Sequence, residues 1–147
     1  MPDRLPEMGK ISPEFFERVI YPSLGAKSEK VLVGPRHGVD TGIVEVAEGM
    51  VMALTTDPIF VVPEYGWERA AWFAVHILAS DAATSGLPLA FATFDLNLPL
   101  SIGEEELETL WRHMAEECKT LGISIVAGHT ARYQGCSYPM IGGATVA

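Results

Sequence analysis

Between Leu87 and Pro99 the sequence LPLAFATFDLNLP alternates as a strand does, yet it is largely apolar on both faces. Leu89, Phe91, Thr93 and Asp95 fall on one side, and Ala90, Ala92, Phe94 and Leu96 on the other. Neither side suits water, so such a strand belongs inside a sheet or beneath a subunit partner. The next segment, SIGEEELETLWRHMAEECKTLG, carries the clearest helix signals in the chain. Ser101 and Glu104 have the spacing of a capping box, acids crowd the first turn, and Gly122 marks the end. Leu107, Leu110, Met114, Cys118 and Leu121 form one apolar stripe. ISIVAG then reads as a short buried strand entering Gly128-His129-Thr130, and YPMIGGATVA as a last strand.

Upstream, residues 1–11 read as a mobile arm. Ser12-Pro13-Glu14 opens a short helix, FFERVIYPSL, expected to end before Pro22. KVLVGPRHGVD is a short strand entering a glycine-bearing loop. GIVEV and MVMALTT are strands joined by a hairpin turn at Ala47-Glu48-Gly49, and Pro58 is expected to end the pairing. Trp67 to Ser85 reads as an alanine-rich helix closed by Gly86 and Pro88, with Ala70, Ala74, Ile77 and Asp81 along one stripe. The order β, ββ, α, β, α, β predicts an α+β domain over residues 12–147, a mixed sheet with helices on one face. Pairing the bare sheet face with a second copy is the economical solution, so a homodimer is expected. The abrupt apolar end at Ala147 reads as a domain cut from a longer protein.

A chain of 147 residues, 48% of them hydrophobic, can bury a sizeable core. A formal charge of −9 argues against a duplex nucleic-acid partner. The longest apolar run, Ala70 to Ala79, is too short and interrupted to span a membrane, and MPDRLPEMGK lacks the apolar segment of a signal peptide. Cys118 and Cys136 have no metal-ligand spacing and fit reduced thiols in a cytoplasm. The acids are the unusual feature. From His37 to Trp111 the only Lys or Arg is Arg69, against twelve Asp and Glu. Asp40, Asp57 and Asp81 stand at strand ends or on an apolar helix stripe, where desolvated carboxylates need a cation. A divalent metal carrying a polyphosphate meets that need.

The series GPRHGVDTGIV, ALTTDPI, ASDAATSGLPLAFA and VAGHT resembles the N-terminal domain of the aminoimidazole ribonucleotide synthetase superfamily, in wording nearest its hydrogenase-maturation branch. The resemblance covers about Gly9 to Ala147. It implies a domain that dimerises through its sheets into a barrel-like core and binds ATP with magnesium at the dimer interface. Carried over, Asp40, Asp57 and Asp81 are the expected metal ligands. Gly38, Arg36, His129 and Thr130 are expected to join them in holding the nucleotide. Relatives phosphorylate or activate an oxygen of a small-molecule or peptide substrate, completing the site with a second domain. This chain is therefore expected to bind Mg-ATP, yet to be an enzyme only with such a domain. His129 departs from the commoner acid, so the catalytic residues stay unassigned.

Each residue also has a plainer account. Asp40 between glycines and Asp57 before Pro58 are turn chemistry, and Asp81 can pair with His76 or Arg69. Gly34-Pro35-Arg36-His37-Gly38 can wrap phosphate with its backbone or be an ordinary turn. A non-catalytic dimerisation or nucleotide-sensing module is the alternative function. Neither GxxxxGK[ST], GxGxxG nor GxSxG occurs in the chain.

Overall fold

A computed structural model describes residues 5–147, so the first four residues of the expected arm lie outside the described residues. Six strands form one sheet in the order β1-β2-β3-β6-β4-β5. They are β1 (Val31–Val33), β2 (Gly42–Ala47), β3 (Met50–Phe60), β4 (Phe91–Leu98), β5 (Ser124–Arg132) and β6 (Met140–Val146). Neighbours run antiparallel except β4 and β5. A parallel pair needs a crossover, and α3 (Glu104–Thr120) supplies it. With α2 (Trp67–Ala83) it covers one face of the sheet. The architecture is the expected α+β one, and the sheet is open.

Small residues set the packing. Ala70, Ala71 and Ala74 of α2 are buried with Val75 and Leu78, and their short side chains let the helix lie close to Ile59 and Val61. The stripe of α3 buries Leu110, Met114 and Cys118 as predicted, with Leu107 and Leu121 packed beside them. His76 Nε2 meets Glu117 Oε2 at 3.0 Å and ties the helices together on their outer side. On β4 the Ala92, Phe94 and Leu96 face is buried, whereas Phe91 and Asp95 face outward. Phe60 and Phe91 are both exposed on the uncovered side of the sheet. Gly142 has a φ of +133°, and a Cβ there would overlap the Asp95 carbonyl, so only glycine lets β6 lie against β4 at this point.

Several expectations are corrected. Pro58 does not end β3: it pairs with Gly143 of β6, and a register shift beside it absorbs the missing donor. The first helix, α1 (Pro13–Phe15), continues past its expected end, widening over Phe16–Ile20 and tightening over Tyr21–Ser23, with Pro22 accommodated in that final turn. α3 begins two residues late, with Gly103 as its cap. Glycine has no side chain to bond forward, so only Glu106 Oε2 reaching the Gly103 N–H, at 2.8 Å, closes the turn. Ile77 is half exposed rather than on the buried stripe. β5 is longer than expected and is an exposed edge strand, not a buried one. No described helix is long and apolar enough to cross a membrane.

Candidate functional site

The inward face of β3 carries Thr55, Asp57 and Ile59 in alternation. Thr55 Oγ1 donates to the Asp40 carbonyl at 2.9 Å, which pins the loop before β2 against β3. Asp81, in the last turn of α2, faces Asp57 within proton-sharing range, and Asp40 lies within electrostatic reach of Asp57. Three carboxyl groups far apart in sequence thus share one neighbourhood. The carboxyl of Asp57 is pushed up from 3.8 to about 6, first by burial, then by Asp81 and last by Asp40, while Lys10 pulls it back. Its Oδ2 is shielded from solvent and has no hydrogen-bond partner. Two ionised carboxylates only accept, so the Asp57–Asp81 pair satisfies neither oxygen until a proton or a cation enters. Among the described residues no group of three or more His, Cys, Asp or Glu is placed to hold a metal ion, so Asp40 stands apart from the Asp57–Asp81 pair as a third ligand. An open set of carboxylates suits magnesium, which keeps several waters and completes its shell from phosphate.

The loop preceding Asp40 is a tight turn. Arg36 and Val39 form a bridge around Gly38, whose φ of +74° favours glycine. Beside it a cavity of about 340 Å³ is lined by Lys10, Ile11, Phe16, Arg36, His37, Gly38, Val39 and Asp40. Gly38, Arg36 and Asp40 therefore stand together. A larger depression, about 800 Å³, lies between Tyr65, Trp72, Phe73 and Glu117 near the start of α2. Its nearest lining residue on α2, Phe73, is eight residues from Asp81, or about 12 Å at the rise of an α-helix.

His129 and Thr130 are not brought to the aspartates within one chain. Asp57, Ala144, Phe94 and Gly128 line up across β3, β6, β4 and β5. Three strand spacings, about 14 Å, therefore separate β3 from β5. His129 pairs with Asp95 on the uncovered side, and its Nε2 lies 2.9 Å from Tyr133 Oη. Asp95 accepts from Asn97 Nδ2 at 2.9 Å. Burial, and then Glu117, push the Cys118 thiol up to about 11, which makes it an inert core group.

Sequence reasoning missed Lys10. A lysine in a polar N-terminal segment reads as solvated, and nothing in its spacing signals that the segment folds back toward β3.

Residues 38–147 match the family model for the N-terminal domain of AIR synthase related proteins. Three solved structures share the fold. AaThiL complexed with AMPPCP and TMP is 21% identical, with a TM-score of 0.68 over 95% of this chain and 43% of that one. T. maritima PurL complexed with AMPPCP is 18% identical, with a TM-score of 0.62 over 99% of this chain and 26% of that one. E. coli HypE, a hydrogenase maturation protein, is 25% identical, with a TM-score of 0.50 over 63% of this chain and 30% of that one. The chain thus spans less than half the length of each. No curated protein shows a significant match.

Proposed function

Because this chain belongs to the AIR synthase related family, as its N-terminal domain, we propose that it is a magnesium-nucleotide-binding domain whose ligand is ATP. The observation that carries the proposal is the buried, unpartnered Oδ2 of Asp57 set against a second carboxyl, Asp81. In that setting Asp57 resists ionisation by itself, and the two carboxyls are suited to a hard divalent cation. Asp40, Asp57 and Asp81 would hold magnesium, which when bound neutralises charge on the phosphates. Arg36 and the Gly38 turn would position the anion beside the acids, and the core under α2 shields the inner carboxyl from water. Two solved relatives hold AMPPCP, which supports the nucleotide over other anions.

The exposed Phe60 and Phe91 suggest that two copies pair across the uncovered sheet face. In that arrangement His129 faces the seam rather than its own chain's aspartates, whereas Thr130, the next residue of the strand, lies on the opposite face with Leu96. Coupled to a further domain, the bound ATP would serve to phosphorylate or activate an oxygen of a small-molecule or peptide substrate. A second reading, a nucleotide-sensing or dimerisation module without chemistry, draws on the distance of His129 from the acids. Titration calorimetry with ATP and magnesium tests the binding step. Expected is magnesium-dependent binding that Asp57→Ala and Asp81→Ala remove. No binding at millimolar nucleotide sinks the proposal. ATP turnover in a longer chain, lost in the same variants, decides against the sensing module.

A further inference from the structure

The cavity beside Asp40 has a basic wall. Lys10, Arg36 and His37 line it together, in a chain with only ten Lys and Arg against nineteen Asp and Glu. Lys10 also lies within electrostatic reach of Asp57. The helical turn just beyond Lys10 fixes its position. Ser12 caps that turn, Pro13–Phe15 (α1), accepting from the Phe15 N–H at 3.2 Å, and Phe16 packs edge-on against His37 at 5.2 Å between ring centres. The ring contact anchors the segment to the Gly38 loop and leaves Lys10 in the cavity wall.

We propose that Lys10 is a phosphate-contacting residue of this site, holding the polyphosphate between the basic wall of Lys10 and Arg36 and the acidic floor of Asp40, Asp57 and Asp81. The inference rests on the nucleotide reading of the site. A lysine is a compact charge on a flexible stem, suited to follow an anion whose position the metal sets. Without nucleotide the same ammonium serves as counter-charge to Asp57. The N-terminal segment is then part of the site and not an appendage.

The test is calorimetry of wild type, Lys10→Gln and Lys10→Arg with Mg-ATP, Mg-ADP and AMP. Removing one charge-assisted contact to phosphate weakens binding by about tenfold or more. Lys10→Gln is expected to lose that factor for Mg-ATP and little for AMP, and Lys10→Arg to restore most of it. Unchanged or tighter Mg-ATP binding by Lys10→Gln overturns the proposal, because a lysine serving only as counter-charge competes with magnesium. Equal loss for AMP and Mg-ATP also overturns it, since the effect is then not on the polyphosphate. Wild type that binds no Mg-ATP refutes the nucleotide reading itself and this inference with it, a result distinct from both.

Discussion

Asp57→Asn should make the protein more stable at pH 7.5 while removing its magnesium-dependent nucleotide binding. In the unfolded chain Asp57 ionises near 3.8, and in the folded chain burial and then Asp81 raise it to about 6. The folded state therefore binds more protons between these values, and stability falls as pH rises from about 4 to about 6, staying lower above that. The full shift corresponds to about 3 kcal/mol. Solvent reaching the half-buried residue screens part of it, leaving about 1–2 kcal/mol. Asparagine takes the charge away, and its Nδ2 can donate to Asp81, so repulsion becomes a hydrogen bond. Urea denaturation at pH 4 and pH 7.5 reads the difference. The variant should exceed wild type by about 1–2 kcal/mol at pH 7.5 and match it near pH 4. Magnesium should stabilise wild type and not the variant. An equal difference at both pH values, or a less stable variant at pH 7.5, refutes the argument that burial and Asp81 make the charge on Asp57 costly in the folded state.

Two further substitutions probe the scaffold. Gly142→Ala forces a Cβ onto the Asp95 carbonyl at a φ of +133°, so a loss of about 3 kcal/mol or more is expected in urea denaturation. A variant that unfolds like wild type shows that β6 can shift away from β4. Phe60→Asp with Phe91→Asp places charge on the uncovered sheet face, and sedimentation should show half the wild-type mass at the same concentration. Wild type already monomeric at tens of micromolar ends the sheet-pairing idea.

The elements legible in the sequence are those whose signal is local. The α3 stripe of Leu110, Met114 and Cys118 could be read because helical periodicity is set by the helix itself. The two faces of β4 were equally plain. Pro58 misled because a proline's missing donor is tolerated wherever the partner strand shifts register, and the partner, β6, lies more than eighty residues away. The Ser101 box failed to form because Glu106, two residues further on, could reach a free N–H. β5 looked buried from its apolar letters, but burial depends on where the crossover lands, and it lands at the sheet's edge. In the candidate site the acids were identifiable as desolvated charges short of partners. Lys10 was not, because its approach to Asp57 is made by the path of the chain and leaves no pattern in the letters around it.

The exposed outer strand has a practical bearing on how damaged forms of this protein behave. Nine residues from Ser124 to Arg132 present hydrogen-bonding groups along a rim that carries one arginine, no lysine and no proline. Such a rim is a template for another extended polypeptide. Lesions that loosen α3 therefore expose more of it, and their first symptom should be self-association into insoluble material, ahead of any cooperative melting.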